Sequence, residues 1–328
     1  MDVSKAPPTV PDRIRDRHPL SDHDGASGAL LERAVLDDGT RLVLKTFDPV
    51  RDLTMRIPRR TVPLEVELWR SGVLDRLPPR LGHTVVGAWQ ERGNWLLAMR
   101  DVTDTVLSYE SQVTRETCAS ILRAADAMHQ AFQGGAPAGT WSAADRIGVF
   151  SPRVMSGLAD SGEPLAEWVM AGWSMFDSIA PPDVRDLVAL MHERPQVLTD
   201  PLTEMGGHTL LHGDYWMPNI ALEPYRIVAI DWALATAGPP AIEFVSFLVG
   251  CASQVDASPD LLLADIDDMW GERHPQQYLT LGLLGGVVEM GWNLAYHATE
   301  HPEPQSRDAF EWWVEAARQS AATGLLRL

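Results

Sequence analysis

Lysine is nearly missing from this 328-residue chain: of its 27 basic residues only Lys5 and Lys45 are lysines. A composition that uses arginine wherever either residue serves gives Lys45, inside the apolar run LVLKTF, a task for a compact point charge rather than a broad planar fork. Positive charge is scarce overall, and the net charge is −18. That argues against nucleic acid as a partner, because a phosphate-binding surface needs clustered Lys and Arg. It is compatible with a cationic ligand, although such a charge serves solubility first. Cysteine is scarce too: Cys118 and Cys251 lie far apart, which argues against a disulfide framework or a cysteine zinc site and fits a reducing cytoplasm. Long apolar runs are missing. The longest, around Leu279–Val288, is too short and too glycine-rich to span a bilayer. The first twenty residues hold no apolar core of signal-peptide length. The expectation is a soluble, cytoplasmic protein with no membrane partner.

What is present divides the chain. Residues 1–19, rich in proline and charge, read as an extended arm. Residues 20–102 favour strands: Gly28–Leu36 and Arg41–Phe47 around an Asp-Asp-Gly turn, then His83–Gln90 and Asn94–Arg100, with one helix from Val62 to Ser71 between the pairs. Residues 103–328 favour helices. Thr114–Phe132 is amphipathic, with Thr114 as a cap and Glu116 and Asp126 on its wet side; Leu165–Ile179, Asp183–His192, Ala241–Cys251, Pro259–Trp270, Leu279–His297 and Ser306–Leu326 follow. One non-helical island interrupts them, Thr209 to Trp232. The order is a small strand-rich lobe, a connector near 100–105, and a helical lobe with an embedded β-hairpin.

The island, LLHGDYWMPNIALEPYRIVAIDWA, gathers the chemistry. Its two apolar runs flank a turn at Glu223-Pro224-Tyr225-Arg226, so an antiparallel hairpin brings Asn219 and Asp231 to its open end. Both are hard oxygen donors of the kind Mg²⁺ takes. Asp214, five residues before Asn219, adds a free carboxylate. A different reading makes His208, His212 and Asp214 metal ligands of a hydrolase; glycines at 206, 207 and 213 argue against the helix face it needs.

His212-Gly213-Asp214, then Asn219, then Asp231-Trp232 resembles the catalytic loop and metal segment of aminoglycoside phosphotransferases and choline kinase-like small-molecule kinases. The resemblance implies an α+β, two-lobed protein-kinase-like fold, with a small antiparallel-sheet N-lobe and a large mainly helical C-lobe. It implies ATP and Mg²⁺, Asp214 as the base that orients or deprotonates an acceptor hydroxyl, Asn219 and Asp231 as metal ligands, and His212 as a support for the loop. It assigns Lys45 to the ATP phosphates with Glu65 as its partner; Glu65 shares a helix stripe with Leu68, Trp69 and Gly72, while Glu67 is the second choice. Val43, on the strand face of Lys45, would line the adenine pocket, and the backbone of Arg100–Val102 would form the hinge that bonds the adenine edge. Asp24–Gly28 stands where a phosphate-covering loop belongs but lacks that loop's usual glycine pattern. Glu243 stands where the family usually has an aspartate, which leaves its role open.

All four polar groups of the nucleotide site are kept, which argues against a kinase-fold binding protein without catalysis. Gly213 and Trp216 replace the arginine and lysine of protein-kinase loops, so the expected acceptor is a hydroxylated small molecule and not a protein. The helical lobe is rich in acids and aromatics, which suits an amine on that acceptor. Glu289 and Trp292, one helical turn apart in an apolar segment, and Trp216 are the expected substrate contacts, because a lone buried carboxylate is costly unless paired.

Overall fold

The computed structural model describes residues 10–20, 28–275, 277–301 and 303–327. The first lobe is built from β1 (Ile14–Pro19), β2 (Leu30–Leu36), β3 (Arg41–Phe47), the short helices α1 (Leu53–Arg56) and α2 (Leu64–Arg70), then β4 (Leu81–Gly82), β5 (Val85–Glu91) and β6 (Asn94–Arg100). Five of these strands form an antiparallel sheet in the order β1-β2-β3-β6-β5. Asp38 and Gly39 make the β2–β3 turn: Gly39 takes φ 85°, and the Asp38 side chain accepts from Thr40 N at 2.9 Å.

Side-chain alternation gives this sheet two apolar faces. Ala34, Leu36, Leu42, Leu44 and Ala98 cluster on the outer one, beneath Val10, Ile14 and Trp89. Val43 and Lys45 therefore turn the other way, toward α2 and the second lobe. The outer cluster explains a departure from the sequence reading. Ile14–Pro19 is not an arm but the edge strand of the sheet, paired with β2, and it helps to cover Leu42 and Leu44. Residues 1–9 and most of Asp24–Gly28 lie outside the described residues.

The second lobe runs β7 (Val113–Thr114), α3 (Arg115–Ala131), β8 (Trp141–Ser142), α4 (Ala143–Gly148), α5 (Pro152–Ala159), α6 (Pro164–Ile179), α7 (Pro182–Glu193), α8 (Gln196–Gly206), β9 (Thr209–Leu211), β10 (Ile220–Glu223), β11 (Arg226–Ala229), β12 (Thr236–Gly238), α9 (Pro240–Cys251), β13 (Val255–Asp256), α10 (Pro259–Trp270), α11 (Gln277–Glu300) and α12 (Pro304–Ala322). Thr114 caps α3 by accepting from Thr117 N, and Cys118, Ile121, Leu122, Ala125 and Met128 form its buried stripe. Asp126, expected on the wet side, is buried instead. Arg273, from the turn after α10, covers it and donates to both its oxygens.

Helix α11 is the centre of this lobe, packed by α6, α8, α9 and α12. Its glycines set the spacing: a Cβ on Gly286 would lie 2.7 Å from the Trp313 ring and 2.9 Å from Val245. Among the described residues no helix is long and apolar enough to cross a membrane. The small sheets of the lobe hold the island. β10 and β11 form the hairpin, with the N-lobe strand β4 parallel to β11, and β9 and β12 pair antiparallel beside β8.

Candidate active site

The β10–β11 register pairs Ile220 with Ala229, and one step beyond it Ile230 N donates to Asn219 O at 2.9 Å. The hairpin's open end thus holds Asn219 beside Asp231. Asp231 adopts φ 62°, a left-handed backbone that turns its carboxylate out of the strand. There Lys45 Nζ donates to Asp231 Oδ1 at 2.8 Å and to Glu65 Oε1 at 2.7 Å. Residues from β3, α2 and the end of β11 therefore meet on one ammonium. Burial works against the charge of Lys45, but Asp231 and Glu65 outweigh it and hold the ammonium well above its ordinary pKa. The two acids respond in opposite directions. Burial pushes the Glu65 carboxyl up to about 7, whereas Lys45 pulls Asp231 below the usual carboxylate range in spite of burial. Glu67 is exposed and pairs with Arg60.

Asp214 sits in the loop between β9 and β10. Asn219 Nδ2 donates to both its backbone oxygen and its Oδ2, each at 2.9 Å. Burial pushes the Asp214 carboxyl up to about 7, against the nearby Arg146 charge and the Asn219 bond. A carboxyl with that affinity for protons is a stronger base than an exposed aspartate.

The loop is held from within by His212 and from outside by residues of α9 and α4. His212 Nε2 donates to Ile230 O at 2.9 Å, and its Nδ1 accepts from Asp214 N. Burial lowers the His212 pKa, so the ring is neutral and can serve as donor and acceptor at once. Glu243, near the start of α9, accepts from Gly213 N on Oε1 at 2.8 Å and from His129 Nε2 on Oε2 at 2.7 Å. From α4, Arg146 Nε donates to Gly213 O.

Residues 33–279 match the phosphotransferase enzyme family, APH. The chain belongs to that family. No curated protein matches it significantly. Among solved structures, a thermostable mutant of aminoglycoside phosphotransferase APH(4)-Ia in complex with ADP and hygromycin B aligns at 14% identity and TM-score 0.50, over 95% of each chain. An aminoglycoside phosphotransferase from Alicyclobacillus acidocaldarius aligns at 15% identity and TM-score 0.47, over 98% of this chain and 96% of its own. Choline kinase LicA from Streptococcus pneumoniae aligns at 10% identity and TM-score 0.49, over 93% and 94%. The fold is the two-lobed, protein-kinase-like one, and the chain is a small-molecule phosphotransferase.

Once this phosphotransferase is folded, two sequence expectations change, the substrate contacts and the hinge, and an alternative already disfavoured is removed. His212 has no nitrogen to give a metal, since both are spent on the backbone, so the hydrolase reading falls. Glu289 is not placed to meet a substrate. It is 1% exposed, its Oε1 lies 2.6 Å from Arg146 Nη2, and its Oε2 accepts from Ser246 Oγ at 2.7 Å. Trp292 is buried as well, edge-to-face with Trp168 and beside Phe150. At the expected hinge, Arg100 N already donates to Thr84 O and its side chain pairs with Glu223, while Val102 O accepts from Thr105 N and Val106 N. Val43 lies cross-strand from Met99, and the half-buried Trp216 lies against Gly250. Sequence reasoning missed Arg146 and left Glu243 open. An arginine on a six-residue helix gave no signal; the Ser142-x-x-Asp145 capping box before it was the one available clue.

Proposed function

We propose that this phosphotransferase moves the γ-phosphate of MgATP to a hydroxyl group of a small molecule, with Asp214 as the acceptor base. The carrying observation is the joint placement of Lys45, Glu65 and Asp231 on one ammonium beside the Asp214–Asn219 pair. Lys45 takes the α- and β-phosphates and Glu65 keeps it aimed. Val43 flanks the adenine, and the backbone at Asp101 and Val102, beyond the occupied Arg100 amide, takes the adenine edge. Asp214 receives the proton of the acceptor hydroxyl as its oxygen bonds to the γ-phosphorus and the bond to ADP breaks.

The donor set fits a hard divalent cation. Asp231 keeps Oδ2 free of Lys45, and Asn219 spends its amide nitrogen on Asp214, which leaves its carbonyl oxygen. Mg²⁺ held by Asn219 and Asp231 would neutralise charge on the transferred phosphates. The related structure with ADP and hygromycin B supports a nucleotide and a small acceptor on this fold. The path after Asp231 is short, with β12 starting at Thr236 and α9 at Pro240, which favours small molecules over proteins as acceptors. The amine expected on the acceptor rested on the acids and aromatics of the helical lobe, with Glu289 as the foremost contact; Arg146 already pairs with Glu289, so the proposal is for a small alcohol without a required charge.

An ADP-release screen over sugars, amino alcohols and antibiotics identifies the acceptor. With it in hand, Asp214→Asn should lower kcat by roughly 10²–10⁴-fold and leave nucleotide binding nearly intact. Wild-type turnover by that variant would remove Asp214 from the role of base.

A further inference from the structure

Arg146 and Glu289 form a buried ion pair that the proposed chemistry does not use. Arg146 is 0% exposed and Glu289 1%, deep in the helical lobe. Such a pair is expensive, because desolvating two charges consumes most of their attraction, and apolar residues of like volume often do as well. This pair is also poorly satisfied. Arg146 Nη2 and Glu289 Oε1 lie 2.6 Å apart, yet neither atom makes an aligned hydrogen bond, and Arg146 Nη1 is buried with no partner. Packing alone gives little reason for a guanidinium here. Its one well-directed bond, from Nε, goes to the carbonyl of Gly213, next to Asp214.

The loop has no room for a side chain that would do this from within. Gly213 holds φ 81°, and a Cβ there would lie 1.8 Å from Leu234 O. The two peptide groups that flank its Cα are instead held by groups from outside the loop, Glu243 on the N–H and Arg146 on the C=O. Glu289, braced by Ser246 Oγ, fixes the far side of the guanidinium. We propose that Arg146 is a positioning residue: brought in by α4 and anchored by Glu289 of α11, it fixes the Gly213 carbonyl and thereby sets Asp214 against the acceptor hydroxyl. This rests on the reading of Asp214 as the acceptor base.

Arg146→Lys keeps a positive charge opposite Glu289 but cannot hold Glu289 and the Gly213 carbonyl together, since it lacks the fork. The expected result is a folded protein whose kcat falls roughly 10- to 100-fold with nucleotide KM unchanged, as a misplaced catalytic group costs up to about 10²-fold. Amide hydrogen exchange at residues 213–216 should speed up in the same variant. Arg146→Met with Glu289→Leu, which strands neither charge, should show both effects and serves if the lysine variant does not fold. Wild-type kcat, unchanged exchange at residues 213–216, or a loss confined to nucleotide KM would each overturn the proposal. Exchange needs no substrate. If the wild-type protein releases no ADP with any acceptor, the phosphotransfer reading fails on its own, and exchange still decides whether Arg146 holds the loop.

Discussion

Glu243 bridges two partners that a shorter acid would not reach together, Gly213 N at 2.8 Å and His129 Nε2 at 2.7 Å. The extra methylene relative to the family's usual aspartate is therefore matched by a histidine on α3, at the far end of the carboxylate. Glu243→Asp should keep one of these bonds and leave the other buried group unpaired. The expected cost is about 1–3 kcal/mol in urea denaturation, with a fall in kcat because the loop loses its grip on the Gly213 amide. Equal stability and equal kcat in the two proteins would mean that the loop tolerates either reach. At this scale the sequence was informative where partners are near one another along the chain. Asp214, Asn219 and Asp231 fall within one short island, so their meeting could be read directly. Arg146, His129 and Ser246 arrive from separate helices, and nothing in their neighbours announces it.

At the scale of elements, legibility followed length and periodicity. α3, α6 and α10 carry enough turns for an apolar stripe to declare itself, and their observed ends lie within a residue or so of the expected ones. α1, α4 and α5 are too short to show a period, and α8 hides behind Pro201, which a sequence reading takes as a break. β1 was obscured by its charges and by the proline-rich segment before it, since an edge strand with one wet face needs few apolar residues. Where a cap is legible its worth can be measured. Thr114→Ala removes the acceptor for Thr117 N and should destabilise the protein by about 1 kcal/mol, seen as a lower urea midpoint with unchanged slope. An unchanged midpoint would show that the β7–β13 pairing, not the cap, fixes the start of α3.

At the scale of the whole molecule, ion pairs that join the lobes among the described residues include Lys45–Asp231, Arg56–Glu163 and Arg100–Glu223. A ligand that engages Lys45 and Asp231 stabilises the folded chain by mass action, about 2.7 kcal/mol at a hundredfold excess over Kd. MgATP should therefore raise the melting temperature, and chelation of the metal should reduce the rise. Lys45→Met should start from a lower melting temperature, because it strands the buried Glu65, and should lose most of the nucleotide-dependent gain. The same gain in both proteins would remove Lys45 from the phosphate site.

The parallel pairings carry a consequence for how the chain is made. β4, β7 and β8 each lie beside a strand that follows about 100–150 residues later: Leu81 beside Ile227, Val113 beside Val255, Trp141 beside Thr236. On the ribosome, each of these early strands emerges long before its partner exists. The hairpin that carries Asn219 and Asp231 is completed by a strand synthesised with the first lobe, so the nascent N-terminal half waits with open edges until the island has left the exit tunnel. A chain stalled before residue 230 would present those edges to any other unfinished copy, an opening for misassembly that the finished fold closes.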